Sequence, residues 1–245
     1  MQRLAAVLVF VLACAPTLAQ SDYYLKEIVH ADRYSWGSLQ KSTFLHSNEL
    51  WISSERVISI EKGRTVILDL SADSLYILNP QTRTYVATTV PPALPGILSD
   101  ELQWMYKQEV TSASVKPKES TKVICGLPCT RYEVTMWREA HGSRTDEREM
   151  VVWACSNLPF DHTAYRKMVR CMRMVFNRDE AGMDELAKID GIQMSIEMPE
   201  GGWFSGRKLV SEIVEFTPRT APEGIYAVPE DYRRVEHLSK ADLGL

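Results

Sequence analysis

Residues 49–91 read ELWISSERVISIEKGRTVILDLSADSLYILNPQTRTYVATTVP. Short runs rich in β-branched and aromatic residues recur here: Leu50 to Ile52, Val57 to Ile60, Thr65 to Leu70, Leu75 to Leu78 and Thr84 to Thr88. Between them stand Ser53-Ser54, Lys62-Gly63, Ala72-Asp73 and Asn79-Pro80, residues that favour turns. Runs this close leave no room for crossover helices, so the strands must pair as antiparallel hairpins rather than a parallel sheet. A further run, Tyr24 to Val29, extends the meander upstream.

Downstream, Pro91-Pro92 and Pro95-Gly96 stop the sheet, and Ser99 caps a helix expected to begin at Asp100. Thr111 to Ser120 is polar and reads as a connecting loop. The strand pattern then returns. Tyr132, Val134 and Met136 alternate with Arg131, Glu133 and Thr135, and Met150 and Val152 alternate with Glu149 and Val151. Pairing these runs across His141-Gly142 sets Val134 opposite Met150 and Tyr132 opposite Val152, which brings Cys129 across from Cys155. A helix is expected from near Asp161, because Met168, Cys171, Met172 and Val175 follow helical spacing. Arg166, Arg170 and Arg173 share its other face, ordinarily a solvated one, though such a face also suits anionic head groups. Ile192, Met194, Ile196 and Met198 alternate again, and Gly201-Gly202 leads to a last strand from Lys208 to Phe216.

The first nineteen residues bear on compartment. Arg3 precedes an unbroken apolar run from Leu4 to Ala13, and Thr17-Leu18-Ala19 offers small residues for a signal peptidase. About ten apolar residues are too few to span a bilayer, which needs roughly twenty. The expectation is a signal peptide over 1–19, a mature chain from Gln20 and export to the periplasm as a soluble protein. Residues 20–245 then form a single domain. Val11-Leu12-Ala13-Cys14 loosely resembles a lipoprotein processing site, which leaves an anchor at Cys14 as the alternative.

The chain holds 28 basic and 32 acidic residues, a formal net charge of −4. A mildly acidic, evenly mixed chain does not suit nucleic acid, which wants a clustered basic face. Cys125, Cys129, Cys155 and Cys171 remain after processing, and an even count in an exported chain reads as two disulfides. Cys125–Cys129 with Cys155–Cys171 is slightly preferred, and Cys129–Cys155 with Cys125–Cys171 is the rival. Zinc is disfavoured, because no tight Cys-x2-Cys pairs occur. The five histidines are scattered, and the sequence has no nucleophile elbow, P-loop or dinucleotide fingerprint. No catalytic residue, metal or cofactor is expected.

Four segments together, YYLKEIVHADRY (23–34), residues 49–91, STKVICGLPCTRYEVTMW (120–137) and GIYAVPEDYRRVE (224–236), resemble a family of exported bacterial proteins. The resemblance rests on Trp51-Ile52 with Arg56, Ile67-Leu68 before Asp69, Tyr76 with Asn79, and Tyr85. That family is itself similar to the lipoprotein-carrier superfamily of LolA, LolB and LppX type. It implies a mainly β (α+β) fold, a curved antiparallel half-barrel sheet with helices covering its concave face, and an apolar cavity between them. The expected lining is Leu68, Trp104, Met136, Met168, Met172 and Met194, pliable side chains suited to a lipid or lipoprotein acyl chain. Ordinary core filling is the competing reading of those methionines. The alternatives are an envelope sensor that docks another envelope protein on the curved sheet and, last, a hydrolase. The cysteines at 125, 155 and 171 depart from the family pattern.

Overall fold

A computed structural model describes residues 22–35, 38–108, 110–140, 143–176, 180–200 and 206–243. The expected leader with Cys14, the start at Gln20 and the turns at 141–142 and 201–202 lie outside these residues. Six strands come first: β1 (Tyr23–Ser35), β2 (Ser38–Ile52), β3 (Arg56–Glu61), β4 (Arg64–Asp69), β5 (Ser74–Asn79) and β6 (Thr84–Thr89). Helices α1 (Leu94–Ile97) and α2 (Asp100–Gln108) follow, then β7 (Val110–Ile124), β8 (Leu127–Ala140) and β9 (Ser143–Cys155). Next come α3 (Thr163–Phe176), α4 (Glu180–Leu186), β10 (Ile192–Glu200), β11 (Arg207–Pro218), β12 (Arg233–Arg234) and α5 (Lys240–Leu243).

All twelve strands join one open sheet in the order β12-β6-β5-β4-β3-β2-β1-β11-β10-β9-β8-β7. Neighbours run antiparallel except β12, which lies parallel to β6. The predicted meander is thus present, and β1 holds the two halves together by pairing with β2 on one side and β11 on the other. Turn chemistry sets the hairpins. Lys62-Gly63 closes β3–β4 with Gly63 at φ 82°, and Cys125-Gly126 closes β7–β8 with both residues at positive φ. Asp69 accepts hydrogen bonds from the Ser71 and Ala72 amides at 2.9 and 3.1 Å, tightening the β4–β5 turn.

Three apolar clusters hold the sheet. The largest joins Ile52, Leu68, Leu75 and Ile77 to Met168, Cys171 and Val175 of α3, the helical stripe expected from the sequence. The Asp161 carboxylate caps α3 by accepting the Thr163 amide at 2.9 Å. A second cluster packs Leu186 and Ile189, in and just after α4, on Val115, Tyr132, Val134 and Val152. In the third, Tyr24, Trp51, Ile58, Ile67 and Leu78 receive Ala221, Ile225, Tyr226 and Tyr232 of the C-terminal tail.

One sequence expectation is corrected, and other elements go beyond what the sequence marked. Thr111 to Ser120 is not a loop but part of β7, an edge strand. Its polarity is that of an edge: Ala113 and Val115 are buried, while Lys116, Pro117 and Lys118 discourage a further strand from adding. The strands outrun the apolar runs that mark them: β1 continues past Val29 to Ser35, and β2 begins at Ser38, ahead of Leu50. From Ser38 to Leu45 that arm is exposed, so no alternating pattern betrays it. The short helix α4, seven residues long, is too brief for a helical apolar period to announce it.

Candidate ligand-binding site

The structure gathers some of the expected lining residues and separates others. Leu68, Met168 and Met194 are buried in the largest cluster, and Met172 packs against it. Met136 packs against the second cluster instead. Trp104 stands apart from both at 64% exposure. At 0% exposure, Leu68 and Met194 are core positions, and neither borders the hollows along α3 described next.

Open space lies elsewhere along α3. A cleft of about 250 Å³ separates α3 from α4. Val169, Met183, Leu186 and Ile189 give it apolar walls, and Arg166, Arg170 and Arg173 project from α3 at its rim. These arginines are the helix face singled out in the sequence, but α4, unseen there, turns that face into one wall of a cleft. Arg166 pairs with Asp190 at 3.4 Å and Arg170 with Asp184 at 3.8 Å, both in exposed positions. Arg173 is more enclosed, and burial lowers its pKa. The Tyr165 phenol is buried at the back, accepts a hydrogen bond from the Gln193 amide at 3.4 Å, and is pushed up to about 12 by desolvation.

A second hollow of about 170 Å³ shares Tyr165, Val169 and Gln193 with the first. Met168, Ile192 and Ile213 line it, and Glu27, Glu49 and Glu61 make its charge negative. A larger depression over β8–β10 is polar and internally neutralised, with Lys208 on Glu197 at 2.7 Å and Arg131 on Glu133 at 3.1 Å.

One trio invites a catalytic reading. His30 and Asp32 of β1 meet Ser42 of β2, but the Ser42 hydroxyl and the Asp32 carboxylate both approach His30 Nδ1, at 3.0 and 2.7 Å. A serine-hydrolase relay needs the hydroxyl on one ring nitrogen and the carboxylate on the other. The trio is a polar clamp between adjacent strands. Burial works to raise the Asp32 pKa, but hydrogen bonds from Ser42, His30 and Tyr34 outweigh it and hold the carboxyl below its usual range.

The four cysteines are free thiols. Cys129 comes across from Cys155, next to the paired Thr130 and Ala154, because β8 and β9 do pair Val134 with Met150 and Tyr132 with Val152. Cys125 occupies the β7–β8 turn, exposed, with its Sγ donating to the Ile213 carbonyl at 3.3 Å. The local Cys125–Cys129 pairing expected from the sequence is therefore not the approach the fold makes. Burial pushes Cys129 and Cys171 up to about 11, so neither supplies a thiolate near neutral pH. Among the described residues no group of three side chains is arranged to hold a metal ion. Nor is any helix among them long and apolar enough to cross a membrane.

The residues that carried the family resemblance hold the fold rather than the cleft. Trp51 and Ile67 sit under the C-terminal tail, with Tyr76 and Tyr85 packed beside them. Arg56 lies 4.8 Å over the Tyr226 ring, and Asn79 donates to Asp242 at 2.8 Å. No protein-family model matches this chain, and no curated protein matches it either.

Proposed function

We propose that this chain is an exported, non-catalytic binding protein for an apolar-tailed ligand of the lipid class, held in the cleft between α3 and α4. One observation carries the reading: an open cleft with walls of Val169, Met183, Leu186 and Ile189 beside a cationic rim. Met183, Leu186 and Ile189 are themselves already buried, so the gain comes from the ligand's own tail, at about 25 cal/mol per Å² of apolar surface removed from water. In this reading the sheet is a lipoprotein-carrier-like half-barrel, and α3 and α4 cover its concave face. The ligand lies between the two helices, where the open space borders Val169, Met183, Leu186 and Ile189. The leader at 1–19 delivers the chain to the periplasm, where lipids and lipoprotein acyl chains are at hand.

The test is titration of the mature protein with a fluorescent fatty acid, beside Ala187→Trp. Ala187 is exposed on the cleft wall, so an indole there fills the cleft without entering the core. Saturable binding that A187W removes supports the reading. Absence of binding in the wild type overturns it and favours a protein-docking role for the sheet.

A further inference from the structure

The three arginines at the cleft rim are not equivalent. Asp190 and Asp184 answer Arg166 and Arg170, whereas Arg173 makes no ion pair among the described residues. The ionisable group that acts on it is the Tyr165 phenol, which stays neutral at ordinary pH because burial raises its pKa. Arg173 stands in the last turn of α3, where the helix dipole favours a cation. Among the described residues, no acceptor is paired with the guanidinium's N–H donors. A guanidinium drawn out of bulk water without an anion is costly, and its planar fork matches carboxylate or phosphate oxygens two at a time.

The charge around the two hollows has a direction. The cleft carries Arg166, Arg170 and Arg173, while the smaller hollow beyond Tyr165, Val169 and Gln193 carries Glu27, Glu49 and Glu61. An anionic head is drawn to the first and repelled by the second. The apolar walls between them suit a chain and give a free inorganic anion nothing to bury.

Resting on the reading above, we propose that the α3/α4 cleft takes the anionic head, carboxylate or phosphate monoester, of a single-chain amphiphile, with Arg173 as its anchor.

The experiment compares a fatty acid, the fatty alcohol of equal chain length, a lysophosphatidic acid and inorganic phosphate on the full mature protein. Wild type is set beside Arg173→Gln and Arg173→Lys, with thermal melting of each. The expected result is that both anionic amphiphiles bind about tenfold more tightly than the alcohol, the scale of one charge-assisted contact. R173Q should erase that preference while the alcohol's affinity and the melting temperature hold, and R173K should restore part of it. Equal affinity for acid and alcohol in the wild type overturns the proposal and leaves the binding function standing. So does a preference that survives R173Q. The wild-type head-group comparison decides the matter even if R173Q fails to fold. Binding of phosphate with none of the amphiphiles overturns the amphiphile and makes Arg173 a free-anion site. Binding of nothing overturns the function itself.

Discussion

Cys129 and Cys155 face each other across β8 and β9, one residue beyond the Thr130–Ala154 pair, with their thiols donating to the Leu127 and Asn157 carbonyls at 3.5 and 3.7 Å. We expect this pair to oxidise to a disulfide in protein recovered from an oxidising compartment, while Cys125 and Cys171 stay as thiols. Under the chain-entropy model a loop of this size contributes about 3.5 kcal/mol. Non-reducing peptide mapping checks it. A Cys125–Cys129 or Cys155–Cys171 crosslink would contradict the strand register as the organiser of oxidation.

Met194→Trp and Ala187→Trp should behave in opposite ways. Met194 is completely buried, so a larger ring forces the core apart and should destabilise by about 1–3 kcal/mol. Ala187 faces the cleft and is exposed, so its tryptophan should leave stability within about 0.5 kcal/mol. Urea melts of both variants read this directly. Equal losses would mean that the α3/α4 space is already packed.

Gly191 holds a position no side chain fits. Its φ is 90°, and a Cβ there would lie 1.9 Å from the Cys155 carbonyl oxygen, on backbone that cannot swing aside. Gly191→Ala should cost about 3 kcal/mol, because it strains φ and pushes β10 away from the end of β9. Thermal unfolding that shifts by less than a degree or two would show that this junction is slack.

The Asp32 clamp predicts an acid dependence. Its folded pKa lies below the ordinary 3.8, so the folded state holds the proton more weakly than the unfolded one. The stability it contributes is complete above that ordinary value and is lost as pH falls through the lower, folded value. Asp32→Asn should therefore lower stability at pH 6 and narrow its gap from wild type near pH 3. Parallel melting curves at both pH values would mean that the carboxylate is not held by His30 and Ser42.

Tyr132 to Met136 was legible from its alternation, whereas Val57 to Ile60 and Thr65 to Leu70, with consecutive residues buried, were legible as β-branched apolar runs between turn residues. Where a strand is solvated, as from Ser38 to Leu45, or guards an edge, as around Pro117, selection for burial leaves no trace to read. The arginine face of α3 was visible from spacing alone. What it faces was not, since α4 is only seven residues long and its role depends on a long-range contact with β7. The methionines were legible only as buried: helical and alternating spacing marks burial, and burial does not distinguish a filled core from a lined cavity.

Native mass spectrometry of the mature protein, purified from the periplasm without delipidation, tests the central claim most directly. The account predicts lipid-sized adducts on the wild type that gentle activation strips off, and their loss in A187W despite an unchanged melting temperature. A wild type that emerges bare, or adducts equally abundant on A187W, would contradict a ligand site between α3 and α4.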